Sequence, residues 1–211
     1  MHLHTGTHAV QQLLGMQVNM DTIFTTWLTA LIVFLVVFAA SRGKKLVPTG
    51  VQNCVEILIE ALLDQFKTNV GPKYRQVVPA LLTLFLFILT ANQLGLLPTD
   101  HMTASPTSDI NTTLGLALAV TILIHALYIA NQGVGKWVFV LINLVEEISR
   151  PVTLAMRLFG NILAGEILLE LLYALAPWLI PIIWIAFSVF VGVIQAYIFT
   201  TLSSVYLKHS L

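Results

Sequence analysis

One arginine and several other polar residues interrupt long apolar runs in the second half of the chain. Arg157 lies midway along the apolar run 138–174, and Glu166 follows nine residues later. A guanidinium cannot become neutral by losing its proton, and placing arginine at mid-bilayer costs from about 3 to well over 10 kcal/mol. If this run crosses a membrane, a countercharge or water must reach Arg157. That requirement favours ion transport over a structural arginine held by carbonyls and a fixed carboxylate.

Glu166 cannot be the countercharge of Arg157 within one helix. Nine steps of about 100° each place the two side chains on opposite faces. Arg157 therefore faces a partner outside its own helix, whereas Glu166 faces other helices or a water-filled cavity. Asn161 shares the general face of Arg157. Glu170 lies one turn beyond Glu166, where it either joins a proton-exchanging site or is simply exposed.

Further candidates occur on the last apolar run and before Arg157. Ser188 and Gln195 lie seven residues apart, on nearly one helix face, where each either serves an ion pathway or makes an interhelical hydrogen bond. Glu146, Glu147 and Arg150 cluster at the cytoplasmic end of the long run. They form either a solvated group of salt bridges or a cytoplasmic ion exit.

Apolar helices are the elements that must position these residues. Hydrophobic residues make up 57% of the chain and charged residues only 9%, against roughly a quarter charged in a soluble domain. Lipid is therefore the expected surroundings. Ten basic residues match ten acidic ones, so no net charge would recruit nucleic acid. The single cysteine, Cys54, cannot form an internal disulfide, and we expect it to be a packing residue.

Five apolar runs are long enough to cross a hydrocarbon core of about 30 Å, which requires about 20 helical residues. We expect an all-α integral membrane protein with one membrane domain. Its parts are an external tail at 1–21, span 1 at 22–40, an interfacial helix at 49–70, span 2 at 77–98, span 3 at 110–130, span 4 at 138–174 and span 5 at 178–207. Because the last two runs exceed the core thickness, we expect them to be tilted, with a bend at Pro151.

Basic residues indicate the orientation of the spans. Eight of them fall on one predicted side, whereas the amino-terminal tail and the loops 99–109 and 175–181 contain none. Positive loops stay in the cytoplasm, so we expect the amino terminus outside and the carboxyl terminus inside.

Segment 49–70 has one apolar and one charged stripe, so it should lie along the cytoplasmic interface, either to set the angle between spans or to dock a partner. We expect no metal site and no cofactor.

The sequence around Arg157 resembles that of subunit a of the F-type ATP synthase. The run RPVTLAMRLFGN at 150–161, continued by AGE at 164–166, carries most of this resemblance. The runs PTSDIN at 106–111 and QAYIF at 195–199 agree with it. Together with the five-span layout, the resemblance covers nearly the whole chain from about residue 20.

The resemblance implies a stator subunit beside a rotating ring of c subunits, joined to the b subunits of a peripheral stalk and indirectly to the F1 head. The residue matching Arg157 would face the carboxylate of each c subunit and separate two offset aqueous half-channels. Asn161, Glu166 and Gln195 match positions around the arginine and along the outer half-channel. Such a subunit catalyses no covalent chemistry. It couples the flow of protons, or with less support sodium ions, to rotation and ATP synthesis in a bacterial plasma membrane.

The chain departs from some members of that family along the outer pathway. Ser188 stands where some carry a histidine that partners the Glu166 position, and serine takes up no proton near neutral pH. Gly95 stands where some carry an aspartate, and we expect water or Glu170 to compensate.

Three more residues bear on the outer side. Asn92 and Asp109 are candidates for the outer entry of the pathway. His125, inside span 3, either joins the outer pathway or, as we prefer, is a packed neutral histidine.

Two other classes of protein fit the sequence less well. A stand-alone transporter or channel should contain its own counter-acid on the face of Arg157 or an internal repeat, and neither is found in the sequence. A purely structural membrane scaffold leaves the charge in mid-helix unexplained.

Overall fold

The computed structural model describes residues 10–13, 16–42, 50–96, 105–133, 144–175 and 180–210. Six long helices account for most of them: α1 Met20–Ser41, α2 Val51–Val70, α3 Val78–Leu94, α4 Ile110–Gln132, α5 Leu144–Leu175 and α6 Ile180–Leu207. The predicted all-α class is confirmed. Before α1, strands β1 Val10–Leu13 and β2 Met16–Asn19 pair as a short antiparallel hairpin in the segment expected to be an external tail.

Four of these helices, α1, α4, α5 and α6, are long and apolar enough to cross a membrane. Helix α3 is also apolar but has 17 residues, about 25 Å at the usual rise. The chain is thus a multi-span membrane protein. Helix α3 ends at Leu94, short of the run 77–98 expected from hydropathy. The expected start of span 4, at 138, lies outside the described residues.

Helix α2 has the two-sided character that its sequence predicts. Leu62, Phe66 and Val70 are buried, and the amide of Asn69 donates a hydrogen bond of 2.8 Å to the hydroxyl of Ser204 on α6. These contacts hold the carboxyl-terminal half of α2 against the bundle.

The expectation that Cys54 is a packing residue was wrong, because the side chain is exposed. Cys54 is three residues before Ile57 and seven before Ala61, so the three share one helix face. Both of those neighbours are also exposed. This face of α2 points away from the bundle.

The core lies where α3, α4, α5 and α6 meet. It is built from buried aliphatic and aromatic side chains, which include Leu81, Phe85, Ile88, Ala117, Val120, Leu154, Leu158, Ala196 and Phe199. The outward faces are apolar as well: Trp27, Ile122 and Val145 are all more than half exposed. Exposed apolar surface of this extent is what lipid, not water, would cover.

A short turn connects the carboxyl-terminal end of α3, the amino-terminal end of α4 and the start of α1. Residues Pro106–Ser108 form one 3-10 turn, and Asp109 then caps α4 by accepting the N–H of Asn111 at 2.8 Å. The second carboxylate oxygen of Asp109 accepts the Asn19 amide at 2.7 Å and the Thr22 hydroxyl at 3.1 Å. Asp109 thereby caps α4 and also holds the start of α1 in place.

Candidate functional site

Arg157 projects from a face of α5 that this chain leaves open. Leu154 and Leu158 on the adjoining face are buried, whereas Arg157, Gly160 and Asn161 are exposed. The ion pairs among the described residues involve Arg150 and His125, and none involves Arg157. This open face leaves Arg157 accessible to an acidic partner from outside the chain.

Asn161 and Gln195 join α5 to α6 directly beside the arginine. The amide nitrogen of Asn161 donates to Oε1 of Gln195 at 2.9 Å. Gln195 is 1% exposed, and no acceptor among the described residues lies within hydrogen-bonding reach of its Nε2. A buried donor without an acceptor is costly, so water or a partner is expected to satisfy it.

A cavity of about 320 Å³ lies between α3, α5 and α6. Its polar lining consists of Asn92, Asn161, Glu166 and Ser188, and its apolar lining includes Trp184 and Phe187. Four residues singled out in the sequence, from three different helices, therefore face one space. Most of the lining is apolar, but the four polar side chains can bind water, and the volume is large enough for several water molecules.

Glu166 reaches this cavity from the face of α5 opposite Arg157, as its spacing from the arginine predicts. Its Oε1 accepts the backbone N–H of Ser105 at 3.3 Å. Next to it, the indole N–H of Trp184 donates to the carbonyl of Gly165 at 3.1 Å and holds α6 against α5. Glu170, one turn further along, is partly buried but is not among the described residues that line the cavity.

Asn92 belongs to a buried network of hydrogen bonds beside the cavity. Its amide nitrogen donates to the carbonyl of Gly192 on α6 at 3.0 Å, and its Oδ1 accepts the Thr107 hydroxyl at 2.7 Å. The Thr107 hydroxyl is also 2.7 Å from that of Ser105. Neither Ser105 nor Thr107 was predicted to be a site residue, although Thr107 lies in the run PTSDIN and hydroxyls just before an apolar run are a signal for such a role.

Asp109 has a structural role, because its carboxylate holds neighbouring segments of the chain together. It is 5% exposed, and both of its carboxylate oxygens accept the hydrogen bonds described above. A more open groove beside it is lined by Asn19, Thr22 and Asn111 together with apolar Ile23 and Trp27. The place of Asp109 at an outer mouth stays a prediction.

The charged cluster at the start of α5 is larger than the sequence suggested. Arg150 pairs with Glu146 through Nη2 and with Glu147 through Nη1 at 3.5 Å, and its guanidinium lies 5.2 Å from the ring centre of Tyr206 on α6. Nε2 of His125 on α4 lies 3.4 Å from Glu147. His125 thus lies beside this cluster and is not among the described residues that line the cavity, and its alternative place in an outer pathway stays a prediction.

The comparisons with known proteins agree with these features. A family model described as ATP synthase A chain matches residues 23–208. The chain belongs to this family. A relative, the ATP synthase subunit a of Desulforamulus reducens, is 40% identical over 215 residues, which cover 93% of this chain and 81% of the relative. The resemblance of the chain to this family is therefore confirmed, and with it a role in ATP synthesis and ion transport at a membrane.

Proposed function

We propose that this chain is the ion-translocating stator subunit of a rotary F-type ATP synthase and that it exchanges ions with a ring of c subunits through two offset half-channels. The observation that carries the proposal is Arg157, a permanent charge exposed on an apolar helix without an acidic partner among the described residues. A moving partner that presents a carboxylate at this depth supplies the missing charge. A fixed cation favours the ionised form of such a carboxylate.

The outer half-channel is assigned to the cavity between α3, α5 and α6. Glu166 is its acid, and Asn92, Asn161 and Ser188 supply the other polar contacts. Because a serine hydroxyl takes up no proton near neutral pH, exchange past Ser188 proceeds through water. The inner half-channel is assigned to Glu146, Glu147 and Arg150, where the described carboxylates lie closest together on α5.

Rotation follows from the cost of moving charge through lipid. A ring site that carries its ion is neutral and can pass through hydrocarbon, whereas the bare carboxylate cannot. The carboxylate gives up its ion to one half-channel near Arg157 and is reloaded from the other. Each charge that crosses contributes about 2.3 kcal/mol per 100 mV, so several must cross for each ATP.

The remaining parts of the proposal follow the family resemblance. Protons are the coupling ion we favour, with sodium as the second choice, and the chain performs no covalent chemistry itself. It contacts the c ring through the Arg157 face and the b subunits elsewhere, and reaches the F1 head indirectly. It lies in a bacterial plasma membrane with the amino terminus outside.

Replacement of Arg157 tests the proposal. We expect Arg157→Ala to abolish ATP-driven proton pumping in vesicles that contain equal amounts of assembled complex, because nothing then separates the half-channels or favours the ionised ring site. Arg75→Ala is the matched control, since Arg75 lies in an exposed turn before α3. Coupled pumping by the Arg157 variant, or transport by the purified chain without other subunits, would overturn the proposal.

A further inference from the structure

The outer cavity contains a donor that no side-chain pattern in the sequence reveals. We infer that Ser105 is a positioning residue for Glu166, that its backbone N–H orients the carboxyl group, and that it can do so only because residue 95 is glycine. The inference rests on the proposed function, which places Glu166 in the outer half-channel.

The first observation is the contact itself. Ser105 is 2% exposed, and its N–H lies 3.3 Å from Oε1 of Glu166, which belongs to a different helix. A backbone N–H keeps its proton at any physiological pH, and it binds the ionised carboxylate more strongly than the neutral carboxylic acid. The bond restricts which way the carboxyl group of Glu166 can point into the cavity.

The second observation is the space at Gly95. A Cβ added to Gly95 would lie 2.4 Å from Cβ of Ser105 and 2.9 Å from its Cα. Gly95 itself has φ −66° and ψ −15°, a conformation open to any residue. Glycine is therefore required at 95 for the room that it leaves and not for its backbone angles. Any side chain at 95 must push the Ser105 backbone away.

The third observation is the direction of the hydrogen bonds around Ser105. The Asn92 amide donates to the Gly192 carbonyl, which leaves Oδ1 facing Thr107, so Thr107 must donate the bond of 2.7 Å between them. The Thr107 proton is then used, and Ser105 must donate the bond of 2.7 Å to Thr107. The carbonyl of Ala91, 3.0 Å away, competes for the same Ser105 proton. These bonds hold Ser105 against α3 directly and link it to α6 through Thr107 and Asn92, while its N–H donates to Glu166 on α5.

Two substitutions at residue 105 separate the N–H from the hydroxyl. Ser105→Pro removes both groups, and φ of Ser105 is −57°, within the range that proline adopts. Ser105→Ala removes the hydroxyl alone and is the matched control for the N–H. Both keep a Cβ against Gly95.

The measurement is ATP synthesis by reconstituted complex at a fixed inner pH while the outer pH is varied. A hydrogen bond to a charged group is strong enough to move a titration by about one pH unit. We expect Ser105→Pro to move the outer pH of half-maximal rate upward by about that amount, because the Glu166 carboxylate loses a donor that stabilises its charge. Ser105→Ala should keep the parent midpoint. The dependence on inner pH should be unchanged in both.

A uniform loss of rate with no shift in the outer midpoint would mean a purely structural role and would overturn the inference. So would identical profiles for the proline and alanine variants. Gly95→Ala gives an independent route, because it displaces Ser105 without touching it chemically and should shift the midpoint in the same direction. An unshifted midpoint in that variant also counts against the inference.

Arg157→Ala measured in parallel tells the two ideas apart. If that variant still makes ATP from the gradient, the proposed function fails whatever Ser105 does. If it is inactive and Ser105→Pro has the parent profile, only the role of Ser105 fails.

Discussion

Arg157 and Glu166, near the middle of α5, lie in different surroundings although they are only nine positions apart. Arg157 is exposed on an outward face, while Glu166 lines the cavity and accepts a backbone N–H. Because they occupy opposite faces, an ion can be handed to one side of the helix without meeting the guanidinium on the other. In the proposed function, α5 is thereby the barrier between the two half-channels.

Acid-to-amide replacements on α5 test which carboxyl group exchanges protons. Glu166→Gln keeps the shape of the side chain but cannot take up and release a proton. We expect it to lower ATP-driven proton pumping by about a hundredfold, the size of a typical proton-transfer contribution.

Glu170→Gln is the matched variant one turn away. It should slow pumping less, because Glu170 is not among the described residues that line the cavity. Pumping by Glu170→Gln at the parent rate removes Glu170 from the pathway. Parent-like pumping by Glu166→Gln would contradict the assignment of Glu166.

The sequence could predict the opposite placement of Arg157 and Glu166 because both lie on one helix, where spacing alone sets the angle between side chains. It could not predict that His125 contacts Glu147, since that contact depends on the position of α4 along the axis of α5. The donor role of Ser105 was equally hidden. A backbone N–H belongs to every residue but proline, so no residue type marks it.

At the scale of elements, α3 and α6 meet where the α6 backbone approaches the side chains of α3 closely. Gly192 is buried on α6, and a Cβ added there would lie 3.0 Å from Nε2 of Gln93 and 3.2 Å from Cβ of Asn92. The Asn92 amide bonds the Gly192 carbonyl at the same place. The position of Asn92 in the cavity therefore depends on the absence of a side chain at 192.

Two glycine-to-alanine substitutions measure this dependence. Gly192→Ala must move Asn92 or Gln93, and we expect it to destabilise the chain by about 1–3 kcal/mol, typical of overpacking. Gly115→Ala on α4 is the control, because an added Cβ meets nothing within 4 Å. It should be neutral or stabilise by up to about 1 kcal/mol. Thermal unfolding in detergent compares them, and equal destabilisation by both would contradict the close approach.

Helix boundaries followed the sequence where a side chain caps the helix and departed from it where only hydropathy was available. Helix α4 begins at Ile110, as expected, because Asp109 caps it. Helix α3 ends at Leu94, although the apolar run continues to Pro98. Hydropathy measures composition, which does not change at Gly95, where the backbone leaves the helix.

At the scale of the whole molecule, the apolar side chains are both inside and outside. Composition alone predicted a membrane protein, because charged residues are too few to cover a surface in water. Which faces meet one another was harder to predict. Helices α4 and α6 are apolar on nearly every side, so no stripe marks the buried face.

The natural cysteine offers a test of orientation without any added residue. Cys54 is the single cysteine of the chain, is exposed on α2, and should face the cytoplasm. We expect a membrane-impermeant maleimide to label it in inverted vesicles and not in intact cells. A permeant maleimide should label both, and Cys54→Ser controls for other targets. Labelling of intact cells by the impermeant reagent would reverse the proposed orientation.

The outward position of Arg157 has a consequence for how the protein is made. A newly inserted copy meets lipid before it meets a ring, and its guanidinium then lies against hydrocarbon, at a cost of about 3 kcal/mol or more. The bilayer can lower that cost only by thinning locally and admitting water, which leaves α5 poorly anchored. Copies synthesised in excess of the other subunits should be short-lived in the cell, so one side chain links the lifetime of the polypeptide to the order of assembly.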